Sequence, residues 1–208
     1  MPGLFITIEG IDGSGKTTQA RLLVEWLQGQ GHRVRATREP GGTPAGNKIR
    51  ELVLSNDHSP PPVAELFLYL ADRAVHVSEV VRPALEVGEV VVCERYTDST
   101  LAYQGYGRGL DLGLLQRLNE MATGGLSPDL TLVLDLAPEQ ARLDETRLDR
   151  LESEGLAFLG RVATGFRELV RQEPERIREV DASQEVEAVQ HQIVAAVRGL
   201  LDRRHLLK

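Results

Sequence analysis

Cysteine is nearly missing from this chain: Cys93 is the only one among 208 residues. No intrachain disulfide can form, and a reducing cytosol suits such a sequence. Positive charge is short as well, 24 Lys and Arg against 31 Asp and Glu for a net charge of −7. General affinity for nucleic acid rests on basic stripes, so no nucleic-acid partner is expected; the arginines cluster in particular loops instead. No apolar run approaches the roughly 20 residues needed to cross a membrane, and the first residues lack the pattern of a secretion signal. A cytoplasmic protein with no membrane partner is the expectation. The five histidines (His32, His58, His76, His191, His205) have no zinc-like spacing and read as surface or packing residues. Repeats and low-complexity tracts are lacking too. What is present is an ordinary globular composition, 41% hydrophobic and 26% charged, with length enough for one full core.

The chemistry begins at the first strand-like run, Leu4 to Ile8. It turns directly into Gly10-Ile11-Asp12-Gly13-Ser14-Gly15-Lys16-Thr17, which fits G-x-x-x-x-G-K-[ST], the loop that wraps nucleotide phosphates. Glycines let the backbone curl until successive N–H groups face one concavity, which binds anions. Lys16 would reach the β- and γ-phosphates, and the Thr17 hydroxyl would ligate Mg²⁺. Thr18 to Gln30 is helix-like, so the phosphates would also meet the positive end of a helix. An ordinary Gly-rich turn is the competing reading, weakened by the flanking strand and helix. The expected ATP contacts run from Gly10 through Thr18.

Strand-like and helical segments alternate along the rest, which predicts an α/β fold with a parallel sheet covered on both faces. Strands are expected at 4–9, 33–37, 89–93, 129–136 and 176–181. Helices are expected at 16–30, 45–54, 62–87, 97–105, 111–123, 149–173 and 185–204. In the third helix Phe67, Leu68, Ala71, Val75 and Ser78 recur at helical spacing and would face the sheet, with Pro83 kinking its end. Residues 142–147, rich in charge, read as a short surface flap. Open parallel sheets bind ligands at the carboxyl ends of their strands, and the informative residues fall there: the loop after the first strand, Arg38 and Glu39 after the second, Glu94 and Arg95 after the third. Arg38 and Arg95 carry planar forks suited to a phosphate; a surface ion pair is the alternative for each.

Thr37-Arg38-Glu39-Pro40-Gly41-Gly42-Thr43 and Glu94-Arg95-Tyr96-Thr97-Asp98-Ser99-Thr100-Leu101-Ala102-Tyr103-Gln104-Gly105 resemble the signatures of thymidylate (dTMP) kinases. The Gly10–Thr18 loop, Ala71-Asp72-Arg73 and Leu148-Asp149-Arg150-Leu151-Glu152 fit the same family in the same order, so the resemblance spans essentially the whole chain. It implies one domain over 1–208 with the three-layer fold of P-loop nucleoside monophosphate kinases, a five-stranded parallel sheet and a short lid near 142–148. It also implies transfer of the ATP γ-phosphate to dTMP, dependence on Mg²⁺, and a homodimer. By resemblance Tyr69 stacks on thymine, where phenylalanine is usual. Arg73 donates to a thymine carbonyl, Thr100 and Gln104 read the remaining polar edge, Tyr103 crowds the sugar C2′, and Asp12 lies near the acceptor's 3′-hydroxyl. Packed core aromatic remains the alternative for Tyr69, and solvated loop carboxylate for Asp12.

Two features depart from the family pattern. Glu94 stands where aspartate is usual; it keeps a carboxylate for Mg²⁺ or its waters, with Asp135 as the rival. Gly13 excludes the branch that carries an arginine in the phosphate loop, so the flap must supply it: Arg142, Arg147 and Arg150 are the candidates, Arg150 with a structural alternative in pairing with Asp149 or Glu152. Val180 to Ser183 would line the adenine site. The competing functions are a kinase for another small nucleotide, and a switch ATPase or GTPase. No N/T-K-x-D guanine-reading tetrad is present, and the chain is short for a motor or transport ATPase.

Overall fold

The computed structural model describes residues 3–57, 59–142 and 150–204. Five strands, β1 (Leu4–Gly10), β2 (Val34–Arg38), β3 (Val90–Glu94), β4 (Leu130–Asp135) and β5 (Ile177–Asp181), form one parallel sheet in the order β2-β3-β1-β4-β5. Register sets the functional edge. Arg38 pairs with Glu94, Glu94 with Ile8, Gly10 with Leu134, and Asp135 with Asp181, so the carboxyl ends of all five strands finish along one line. β1 is central, and its neighbours β3 and β4 lead to opposite halves of the sheet, where a parallel sheet opens a crevice.

Strand alternation sorts the core into two layers. Leu4, Ile6 and Ile8 of β1 point to the face covered by α1 (Lys16–Gly29) and α8 (Val186–Arg203), where Leu23, Leu27, Ile193 and Val197 are fully buried. On the other face Val133 and Ile177 meet a cluster fed by α3 (Pro62–His76), a π-helix at Leu101–Gly107, α6 (Leu112–Thr123) and α7 (Leu156–Gln172). Phe5, Val91 and Cys93 pack there on Val77, Val81 and Tyr96. Burying one such aliphatic side chain contributes roughly 1.5–3 kcal/mol. Thr7, at the sheet centre, is polar but satisfied: its hydroxyl bonds Thr131, which donates to Asp98 at 3.0 Å, and Asp98 is clamped by Arg176. No helix among the described residues is long and apolar enough to cross a membrane.

α2 (Pro44–Leu54) starts as its sequence directs, with Thr43 capping the Gly46 N–H at 2.9 Å and Pro44 in its first turn. Four expectations are corrected. The buried side of α3 is Glu65, Leu66, Leu70, Asp72, Arg73 and His76, whereas Phe67 is 57% exposed and Ala71 and Ser78 are exposed. Leu68 and Val75 of the expected face are half-buried, and the innermost face combines Leu66 and Leu70 with polar residues that bond to other elements. The long third helix is interrupted by a π-helical turn, Val77–Val81, directly before α4 (Arg82–Glu86), so the irregularity precedes Pro83. The helix expected from 149 begins at Leu156, after a separate 3₁₀ turn at Glu152–Glu154 and a Gly155 at φ 82. The expected helix at 97–105 also changes character, from α5 (Thr97–Thr100) to the π-helix.

Candidate active site

The loop from Gly10 to Thr17 leaves β1 and enters α1. Gly15 adopts φ 90, a left-handed conformation that a side chain would strain. Gly13, at φ 74, leaves no room for a Cβ, which would lie 2.6 Å from the Arg142 nitrogen; that amide donates to the Gly13 carbonyl at 3.2 Å. Arg142 therefore lies in contact with the phosphate loop. Lys16 folds back over the loop, donating to the Gly10 and Ile11 carbonyls at 3.0 and 2.6 Å. Burial, with Arg95 beside it, brings its ammonium down to about 7. Thr17 donates its hydroxyl to Glu94 Oε2 at 2.7 Å. Two oxygens of this hardness, adjacent at the mouth of the loop, form a donor pair suited to Mg²⁺.

Arg95 is the only non-glycine residue with positive φ among those described, at 65. Its turn is fixed from below. Glu9, fully buried, accepts the Tyr96 N–H at 2.7 Å and the Ser99 hydroxyl. Burial, and then Asp98, raise the Glu9 carboxyl to about 7. The Arg95 guanidinium then reaches Asp12, Ser99 and the Tyr103 hydroxyl, and Tyr103 donates to Asp12 at 2.8 Å. Burial opposes ionisation of Asp12, but Arg95 and Lys16 beside it hold its carboxyl below the usual range.

Two connected hollows meet at this cluster. A cleft of about 540 Å³ is lined by Asp12 through Gln19, Arg38, Glu94, Arg95, Arg142 and, at its far end, Ala182, Ser183 and Gln184. A smaller cavity of about 60 Å³ is lined by Asp12, Tyr69, Arg73, Arg95, Thr100, Tyr103 and Gln104. Asp12 and Arg95 line both. Of the residues singled out from sequence, Lys16, Arg38, Glu94 and Arg142 border the first hollow, Tyr69, Arg73, Thr100, Tyr103 and Gln104 the second. Asp135 borders neither and is held by Arg167 at 2.9 Å. Arg147 lies outside the described residues, as does the rest of the expected lid after Arg142. Arg150 is buried; it donates to Glu65 and to the Val53 carbonyl and approaches Glu154, while Asp149 and the Glu152 side chain, its partners expected from sequence, lie outside the described residues.

Sequence reasoning missed several supporting residues. Arg50 lines both hollows and donates to the Pro40 carbonyl at 3.0 Å. Glu39 joins Arg73 Nε and His76 Nδ1, each at 2.8 Å, and Asn119 accepts from Arg73 at 2.6 Å. Glu65 gathers Gln104, Arg108 and Arg150. For Glu65 and His76 the hint was their place on the helical face of Tyr69 and Arg73, since the four recur at spacings of three and four; Glu39 was placed at a strand end without a role, and Arg50 and Asn119, on α2 and α6, carried no such signal.

A family model for thymidylate kinase matches residues 8–193. The chain belongs to the thymidylate kinase family. It is 52% identical over 198 residues to a thymidylate kinase of Exiguobacterium sp., 93% of each chain being covered. With one of Gloeobacter violaceus it shares 53% over 199 residues, 93% of this chain and 94% of that one. Among solved structures, the thymidylate kinase of Ehrlichia chaffeensis superposes with a TM-score of 0.80 at 32% identity, covering 95% of this chain and 99% of that one. Family membership accounts for the pairing of a phosphate loop with a second, smaller hollow, since a nucleoside monophosphate kinase must hold two nucleotides end to end.

Proposed function

We propose a division of labour for the transfer of the ATP γ-phosphate to dTMP, the reaction that membership of the family carries. The observation that supports it is the Asp12–Arg95 pair, which lies where the large cleft and the small cavity meet. ATP occupies the cleft, with its phosphates on the N–H groups of Gly10 to Thr18 and its base toward Ala182 and Ser183. dTMP occupies the cavity, its base against Tyr69 and among Arg73, Thr100 and Gln104. Its phosphate meets Arg38, whose fork offers bidentate donors, and Arg95, whose Nη groups must first release the Gly10 carbonyl and Ser99 to take it. Thr17 and Glu94 would hold Mg²⁺, which when bound neutralises charge on the β- and γ-phosphates.

Phosphoryl transfer needs alignment and charge neutralisation more than covalent chemistry. Lys16, released from the Gly10 and Ile11 carbonyls, turns to the β- and γ-phosphates, where their charge restores its protonation. Arg142 borders the cleft and, with Arg147, serves the moving phosphoryl group from a short lid over 142–148. Tyr103, fixed between Arg95 and Asp12, leaves little room at the sugar C2′ and disfavours a ribonucleotide. The enzyme works in the cytoplasm as a homodimer. Val63 and Phe67 of α3, Leu52 of α2 and Met121 of α6 are exposed, on helices packed side by side, and a second copy would cover them.

Steady-state kinetics of Lys16→Ala and Arg142→Ala test the assignment. Lys16→Ala should abolish transfer with an unchanged circular-dichroism spectrum. Arg142→Ala, or Arg147→Ala if that arginine acts, should lower kcat by as much as about 10³-fold with little change in KM for dTMP. Less than a tenfold effect from both would remove the lid from the mechanism.

A further inference from the structure

Glu65 is an acidic side chain with no exposure at all, set in the first turn of α3 and bonded to Gln104, which lines the smaller cavity. Its oxygens are occupied from three sides. Gln104 Nε2 donates to Oε1 at 2.9 Å, Arg108 Nη2 to Oε2 at 3.1 Å, and Arg150 Nη2 also to Oε2. Burial alone would raise such a carboxyl, yet the bonds from Arg108, Gln104 and Arg150 bring it below the usual range. An ionised carboxylate only accepts hydrogen bonds. Gln104 must therefore turn its NH₂ group to Glu65, and its carbonyl is the end left for the cavity it lines. Thr100 is fixed in the opposite sense: its oxygen accepts from Arg73 Nη1 at 2.7 Å, so its own proton is the one it can give.

We propose that Glu65 sets the hydrogen-bond polarity of the acceptor-base subsite by locking the Gln104 amide with its carbonyl toward the base. The inference rests on the reading above that Gln104 faces the base of the monophosphate. A carbonyl beside a hydroxyl donor matches a pyrimidine edge that carries an N3–H next to a keto oxygen. Cytosine presents the reverse, a bare N3 beside an amino group, and would leave the buried carbonyl facing a lone pair. Sites built around a substrate hydrogen bond reject mismatched analogues strongly, because buried polar groups are then left unpaired. Glu65 touches no substrate atom; it is a positioning residue, and Arg108 and Arg150 keep it charged.

The test is the kcat and KM of wild type, Glu65→Gln and Gln104→Ala with dTMP and with dCMP. Glu65→Gln can itself donate, so Gln104 is free to turn over. The KM for dTMP should rise at least about tenfold, kcat should stay within about threefold, and the ratio of kcat/KM for dTMP over dCMP should fall at least about tenfold. A purely structural role would lower both substrates together and leave that ratio unmoved, which overturns the proposal. If Glu65→Gln does not melt cooperatively, Glu65→Asp keeps the charge for the two arginines while withdrawing from Gln104, and the same fall in the ratio is required. On wild type, 3-methyl-dTMP, which lacks the N3–H, should be at least about 100-fold poorer than dTMP, and equal turnover also overturns the proposal. A Gln104→Ala enzyme with unchanged KM for dTMP would sink the base-facing reading itself. A Gln104→Ala effect without a Glu65→Gln effect would sink only the role of Glu65.

Discussion

Replacing Glu94 by glutamine removes a charge and almost nothing else. Glu94 is half-buried at the end of β3, and its Oε2 lies 2.7 Å from the Thr17 hydroxyl that donates to it. Glutamine has the same length and keeps an oxygen acceptor for Thr17, so the hydrogen bond and the strand end survive. At a partly exposed position the loss in stability should be below about 1 kcal/mol, a melting shift of at most about 2–4 °C. What disappears is the negative charge beside Thr17, at the proposed Mg²⁺ position, and next to Arg95. Electrostatic groups preorganised in this way are typically worth about 10²–10³ in kcat, so Glu94→Gln should lose roughly 100-fold or more, equivalent to about 2.7 kcal/mol. Glu94→Asp keeps the charge but retracts it by about 1.5 Å, which lengthens the 2.7 Å contact beyond direct reach and leaves a distance that one water can bridge. Its activity should stay within about tenfold of wild type. Steady-state kinetics at saturating Mg²⁺, with melting curves alongside, separate the two variants. Near-native turnover by Glu94→Gln would refute the reasoning, for the charge would then have no part in the phosphate machinery.

Two further outcomes are expected. Because the Glu9 carboxyl is raised from 4.5 to about 7, the folded protein holds a proton there that the unfolded chain has already lost. The stability this confers is complete below the unfolded value and vanishes as pH rises through about 7, an effect on the order of 3 kcal/mol. Urea unfolding at about pH 5 and about pH 8 should show wild type losing ground to Glu9→Gln by that order; a pH-independent difference would contradict the assignment. Phe67→Glu, which places a charge in the exposed apolar stripe of α3, should convert a dimer to a monomer in light scattering while leaving the melting of the protomer cooperative. An unaltered mass would show that this face is not the contact.

The phosphate loop and the carboxyl ends of the strands were legible because each rule there is local. Buried strands read as apolar runs, and glycines and arginines fell just beyond them. The phase of α3 was not legible, and the reason is physical. Its inner face carries Glu65, Asp72, Arg73 and His76, whose hydrogen-bond partners are distant in sequence, while its outer face carries Val63, Phe67 and Ala71. Apolar periodicity therefore pointed off the most buried side of the helix. The π-helical stretches at Val77–Val81 and Leu101–Gly107 shift the phase again, and no residue type in them announces an extra residue per turn. Arg150 shows a third limit: its partners Glu65 and Val53 lie more than 80 positions away, so only the fold could separate it from the arginines at the cleft.

In the proposed arrangement the small cavity presents dTMP to ATP held in the cleft. A coupled assay of ADP formation, run with ATP and Mg²⁺ alone and then with dTMP, dUMP, UMP, dCMP or AMP, tests it most directly. Almost no ADP should form without a monophosphate, kcat/KM should be highest with dTMP, dUMP should lose roughly 1–3 kcal/mol in transition-state binding, and UMP should fall below both. ADP formed without any monophosphate, or UMP turned over as efficiently as dTMP, would contradict it.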